Sequence, residues 1–106
     1  MNARPFYTMS NPDDSNYTYS YDIIFRNKEI SSGAQRVHDY NMLLENIKLK
    51  GLDSSGLSDY TKSFEYGSKP HGGCGLGLER IVMLYLGLEN IRQASFCPRD
   101  PKRKTP

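Results

Sequence analysis

The sequence predicts an α+β domain in which an antiparallel β-sheet is flanked by helices. Tyr19, Tyr21, Ile23 and Phe25 alternate with Ser20, Asp22, Ile24 and Arg26, and Gly73, Gly75 and Gly77 alternate with Cys74, Leu76 and Leu78. Both patterns have the period of a strand. Two stretches between them place apolar residues at helical spacing. The order is then strands, two helices, a strand and a helix, which suits an antiparallel sheet.

The elements follow along the chain. RPFYTM, residues 4–9, is aromatic and β-branched enough for a short strand. Residues 10–18 collect Asn, Pro, Asp and Ser and form a loop. Residues 19–39 read as a hairpin turning at Asn27-Lys28. That register sets Asp22 across from Gly33 and places Asp22 and Glu29 on one face, with Ile24 and Ser31 between them. Two carboxylates on one face can hold a divalent cation whose shell phosphate oxygens complete, or can be ordinary surface acids. Ser32 and Arg36 fall on the opposite face by the same counting. Only a bulge near Ser31-Ser32-Gly33 brings all four together, and Gly33 makes one feasible.

Asp39 can cap a helix over about 40–50 that Gly51 ends, with Leu43, Leu44 and Ile47 as its apolar face. A second helix follows Ser54-Ser55, uses Leu57, Tyr60, Thr61 and Phe64, and stops at Gly67. Residues 40–66 thus form a helical insert without evident chemistry, a cover for the sheet. The strand and helix of residues 71–87 come next. Repeated glycine on one strand face suggests that something flat or bulky approaches the backbone there. The apolar run at 81–88 reads as a helix buried on most sides. Arg80 sits in its first turn, where the helix dipole disfavours a cation by roughly 0.3–1 kcal/mol. Either an anionic ligand such as phosphate lies in front of Arg80, or the stretch is a core strand and helix with one solvated arginine. Residues 89–93 make a short turn before the proline-bounded end.

Length and composition bound the rest. The 106 residues make one small domain with a modest core. A quarter of the residues are charged and mean hydropathy is −0.67, as in soluble proteins. The longest apolar run is too short to cross a bilayer, and the chain opens without a charged-then-apolar leader, so a cytoplasmic protein with no membrane partner is expected. A net charge of +2 does not imply nucleic-acid binding by field alone. Arg99, Lys102, Arg103 and Lys104 nevertheless crowd a basic C-terminal tail at 98–106, either solvated or in contact with RNA phosphate. Cys74 and Cys97 lack metal-ligand spacing and are expected to be free thiols. The abrupt start at MNARPFYTM suggests a piece of something longer.

GCGLGLERIVML resembles motif 3 of the class II aminoacyl-tRNA synthetases, alternating glycines followed by a helix that carries an arginine. SGAQRVHD at 32–39 and SFCPRDPKR at 95–103 look like the aspartyl branch of that family, of the cytosolic eukaryotic or archaeal type; RPFYTM and PHGG also fit. The resemblance covers essentially the whole chain. It implies the C-terminal part of the catalytic domain, without motifs 1 and 2 and without the anticodon-reading OB domain.

What the resemblance implies can be set on single residues. Arg80 is the motif 3 arginine, packing on the adenine of ATP and reaching its phosphates. Gly75 and Gly77 let the nucleotide lie against bare backbone, beside Leu78 and Glu79. Glu29, with Asp22 as second carboxylate, holds Mg²⁺ on the ATP phosphates. Arg36 grips the side-chain carboxylate of L-aspartate, which a planar guanidinium suits. Ser32 contacts the amino acid, Gln35 stands behind it, and His71 lies near the α-amino group. Arg36 and Arg80 are the catalytic pair. The implied activity is aspartate–tRNA ligation: ATP-dependent formation of aspartyl-adenylate, then transfer to tRNA(Asp), by an enzyme that is a homodimer at full length. The 106 residues alone are expected to be inactive. An asparaginyl-type enzyme shares the architecture, a non-catalytic binding or scaffold paralogue keeps the fold without the chemistry, and an unrelated phosphate-binding module predicts no aspartate dependence.

Overall fold

A computed structural model of the chain describes residues 4–102 and Thr105. The elements run β1 (Ser20–Phe25), β2 (Lys28–Gln35), α1 (Tyr40–Leu49), α2 (Ser58–Glu65), β3 (Gly72–Leu76) and α3 (Leu78–Leu86). Short 3-10 turns lie at Ser55–Leu57 and Ile91–Ala94. The strands form one sheet in the order β1-β2-β3. The chain divides into two compact units, Met1–Tyr21 with Gly33–Cys74 and Asp22–Ser32 with Gly75–Pro106.

The buried core of the first unit is Val37, Leu43, Ile47 and Phe64, with Phe6, Tyr7, Met9, Tyr40 and Leu57 packed around it. Burying a side chain of this size contributes about 1.5–3 kcal/mol, so these residues are the main apolar contribution to that unit. Helix α1 delivers two of them because its ends are fixed locally. The Asp39 carboxylate accepts from the Met42 amide at 2.8 Å, and Gly51 at φ +64° leaves the helix in the left-handed region. α2 begins in the serine-rich turn and ends before Gly67, also at positive φ. RPFYTM does not form a strand. Residues 6–7 lie in a turn, and only Thr8 and Ser10 make bridges, to Arg36 and Thr18. Carbonyls of this segment still pair, that of Tyr7 with the Val37 amide at 2.9 Å.

In the second unit the hairpin turn falls one residue earlier than expected, at Arg26-Asn27, both at positive φ (46° and 59°). Asparagine tolerates that region and lysine does not, so the turn puts Asn27 there and releases Lys28 to the strand. Arg26 is held in the same strained region by its guanidinium, which donates to the Leu84 carbonyl in the last turn of α3 at 2.8 Å. A cation is favoured at that helix end.

The new turn sets Phe25 against Lys28 and Ile24 against Glu29. Further along the sheet the Gln35 amide donates to the Tyr19 carbonyl at 2.8 Å, so β2 uses one residue more than β1 between the two points. A one-residue bulge accounts for it. Carbonyls should alternate along a strand, yet those of Glu29 and Ile30 are both taken from the β3–α3 corner, by Arg80 and by the Gly77 amide. The bulge therefore lies at Ile30-Ser31, just before the place the sequence allowed for it. Asp22 now stands across from Ser32 rather than Gly33, and Ser32 joins Asp22 and Glu29 on one face. Gly33 has a different reason for being glycine: a Cβ there would sit 2.4 Å from the Tyr21 ring.

Helix α3 also departs from expectation. It starts at Leu78, earlier than the apolar run, and is not buried on most sides. Leu78, Tyr85 and Leu86 are 68%, 74% and 62% exposed, and no α3 residue is fully buried. An apolar helix is buried only if other chain covers it, and every fully buried apolar residue described belongs to the first unit.

Candidate active site

In the second unit, Gly77 ends the approach of β3 and caps α3, which puts Arg80 in the first turn of the helix. The cation at this unfavourable end has a partner within the chain. Its guanidinium donates to the Glu29 carbonyl and lies 3.9 Å from the Glu29 carboxylate. The two side chains are 44% and 48% exposed. An ion pair this open contributes about 0–1 kcal/mol and is readily exchanged for a ligand. A Cβ on Gly75 would meet nothing within 4 Å, so the strand is bare backbone there. At Gly77 a Cβ would press on Arg80 Cβ at 3.4 Å and the Ile30 carbonyl at 3.6 Å, so this glycine serves the corner itself. Leu78 and Glu79 are exposed beside it.

Asp22, Glu29 and Ser32 share the face set by the bulge. Among the described residues no group of three or more His, Cys, Asp or Glu is placed to hold a metal ion by itself. Two carboxylates fit a hard cation that brings phosphate oxygens with it, and fit poorly one held by protein alone.

In the first unit, Arg36 is defined on two sides. Its guanidinium carbon lies over the Tyr7 ring, 4.2 Å from the centroid. On the other strand a Cβ added to Gly73 would come within 2.9 Å of Nε and 3.0 Å of Nη2. The flat group that the glycine pattern called for is, at Gly73, this guanidinium. Arg36 also lines a cavity of about 620 Å³ with Phe6, Tyr7, Tyr60, Phe64 and His71. Burial holds the Tyr60 phenol above its ordinary pKa, against the opposing pull of Arg36. The His71 ring stacks with Phe64 at 6.1 Å and its Nδ1 lies 2.9 Å from the Lys69 carbonyl. Gln35 is exposed, its backbone carbonyl accepting from Met9 at 2.9 Å. The opposite face has its own pairing, in which a hydrogen bond with Cys74 raises the Tyr21 phenol. Both cysteines are free and exposed.

Sequence reasoning missed Tyr7 and Tyr60. The aromatic run FYTM was visible, but a ring placed against a guanidinium so far along the chain leaves no spacing signal. At the chain's end Arg99 and Lys102 are exposed, Asp100 pairs with Arg92 at 3.0 Å, and Arg103 and Lys104 lie outside the described residues.

Residues 1–101 match the family described as tRNA synthetases class II (D, K and N). The chain belongs to that family. This class II synthetase segment is 54% identical over its whole length to the cytoplasmic aspartate–tRNA ligase of Caenorhabditis elegans, of which it spans 20%. It superposes on a putative aspartyl-tRNA synthetase of Leishmania major with a TM-score of 0.93 and 56% identity, covering 99% of this chain and 21% of that one. It also superposes on an asparaginyl-tRNA synthetase of Entamoeba histolytica in complex with asparaginyl-adenylate, with a TM-score of 0.90 and 38% identity, covering 97% and 24%. The synthetase segment thus spans about a fifth of the length of the aspartate relatives it matches. No helix among its described residues is long and apolar enough to cross a membrane.

Proposed function

We propose that this segment is part of the catalytic domain of an aspartate–tRNA ligase, the part that carries motif 3. The activity is ATP-dependent activation of L-aspartate to aspartyl-adenylate, followed by transfer to tRNA(Asp). The observation that carries the reading is a contrast in likeness: 54% and 56% identity to aspartate enzymes, against 38% to an asparaginyl enzyme of nearly equal backbone similarity.

In this reading Arg36 forks onto the side-chain carboxylate of aspartate, and Ser32 contacts the same amino acid. Arg80 leaves Glu29 for the nucleotide, packing on adenine and reaching the phosphates. Gly75, Gly77, Leu78 and Glu79 form the floor beneath it. Glu29 and Asp22 would hold Mg²⁺, which when bound neutralises charge on the phosphate oxygens. The aspartate α-carboxylate attacks the α-phosphate, pyrophosphate leaves, and no side-chain nucleophile is used. The work of these residues is positioning and charge. The full-length enzyme is a cytoplasmic homodimer; that the Caenorhabditis elegans relative is a cytoplasmic enzyme supports the compartment.

The test is Arg36→Lys in an enzyme of the relatives' length that carries this segment. An ammonium keeps the charge but loses the bidentate fork, so aspartate-dependent pyrophosphate exchange should fall about 100-fold. Unchanged kinetics would remove Arg36 from the amino-acid site. Activation of asparagine in preference to aspartate would move the protein to the asparaginyl branch. Failure to bind ATP with Mg²⁺ in calorimetry would make it a non-catalytic paralogue.

A further inference from the structure

We infer that Tyr7 and Gly73 together are positioning residues that fix the plane of the Arg36 guanidinium, and that this clamp sets how well the protein selects a dicarboxylic amino acid. The inference rests on the reading of Arg36 as the group that binds the aspartate side chain. A bidentate carboxylate needs the fork in one plane, whereas an arginine side chain has several free torsions and loses that plane easily. Two contacts remove the freedom. The Tyr7 ring lies under the guanidinium carbon at 4.2 Å. Gly73 offers bare backbone on the neighbouring strand, where even one methyl group would sit 2.9–3.0 Å from Nε and Nη2. The ring itself is anchored twice, through the Tyr7 carbonyl to the Val37 amide at 2.9 Å and through edge packing on Phe6 at 5.2 Å. Neither Tyr7 nor Gly73 needs to touch the substrate; each acts through Arg36. A ring face attracts a guanidinium whether or not it carries a hydroxyl, so the ring and not the phenol oxygen is the working part.

The experiment uses an enzyme of the relatives' length carrying this segment and reads the KM for aspartate and for ATP separately in pyrophosphate exchange. Tyr7→Leu should raise the aspartate KM about tenfold, the order expected when a half-buried cation–ring contact is lost, and leave the ATP KM unchanged. Tyr7→Phe should restore the wild-type value. Gly73→Ala should raise the aspartate KM without touching the aromatic cluster, which keeps the inference testable if Tyr7→Leu folds poorly. In an Arg36→Lys background Tyr7→Leu should add nothing, because there is no fork left to orient. An effect of Tyr7→Leu equal on both KM values, an additive effect in the Arg36→Lys background, or an aspartate KM unmoved by Gly73→Ala would overturn the clamp. If instead Arg36→Lys itself leaves the aspartate KM unchanged, the amino-acid site reading falls, and the clamp falls with it.

Discussion

Arg80 and Glu29 hold each other in this structure, and that pairing decides what each can do. Both side chains are about half exposed, so the pair is weak and solvent-screened. On the proposed reading, a nucleoside triphosphate would offer Arg80 more negative charge than one carboxylate does, and would free Glu29 to meet a cation. Loss of Arg80 should therefore damage the nucleotide step and spare the amino acid. In an enzyme of the relatives' length, Arg80→Ala should lower kcat for pyrophosphate exchange by about 100- to 1,000-fold, the range seen when a single donor to developing charge is removed. The aspartate KM should stay close to wild type. A variant whose only change is a raised aspartate KM would show that Arg80 belongs to the amino-acid half. The proposal of Glu29, Ser32, Arg36 and Arg80 as site residues rests on likeness to a family, whereas spacing alone offered only two acids on one face and one awkward cation. Tyr7 was not legible at all, because its ring meets Arg36 through the fold.

Elements whose ends are fixed by local chemistry were readable, and those fixed by distant contacts were not. Helix α1 is the clear case. Asp39 caps it, Gly51 ends it, and both were visible as residue types at the right places. The hairpin is the contrary case. Asn27-Lys28 and Arg26-Asn27 are both possible turns on local grounds, and the choice goes with the Arg26 guanidinium reaching the Leu84 carbonyl, 58 residues away. The bulge at Ile30-Ser31 is likewise tied to carbonyls claimed by Gly77 and Arg80. These long-range ties bring Ser32 to the face of Asp22 and Glu29. Because α1 supplies Leu43 and Ile47 to the core, its cap should be felt by the whole first unit. Asp39→Ala should lower unfolding free energy by about 0.5–2 kcal/mol. In urea denaturation this appears as a lower midpoint with unchanged slope. A midpoint that does not move would mean that packing alone holds the start of α1.

At the scale of the whole chain, stability and chemistry are unevenly placed. All the fully buried apolar residues described lie in the first unit, while the second exposes Ile23, Ile24, Leu78, Tyr85, Leu86 and Phe96. The second unit nevertheless carries Asp22, Glu29, Ser32 and Arg80, four of the residues proposed to bind substrates or metal. Catalysis by positioning requires groups held to within about 0.5 Å, and a unit without a buried core is poorly suited to that. This is also why the burial of α3 was misjudged: the apolar pattern of a helix states what it needs to have covered, and whether it is covered depends on other chain. In the isolated 106 residues, backbone amides of Ile23–Phe25 and of α3 should therefore exchange with deuterium faster than those of Leu43 and Ile47 in α1. The same isolated chain should give no aspartate-dependent pyrophosphate exchange, although the Arg36 corner, built on the buried core, should remain folded. Measurable exchange activity in the isolated chain, or equal protection of α3 and α1, would show that the second unit is ordered without further chain to cover it.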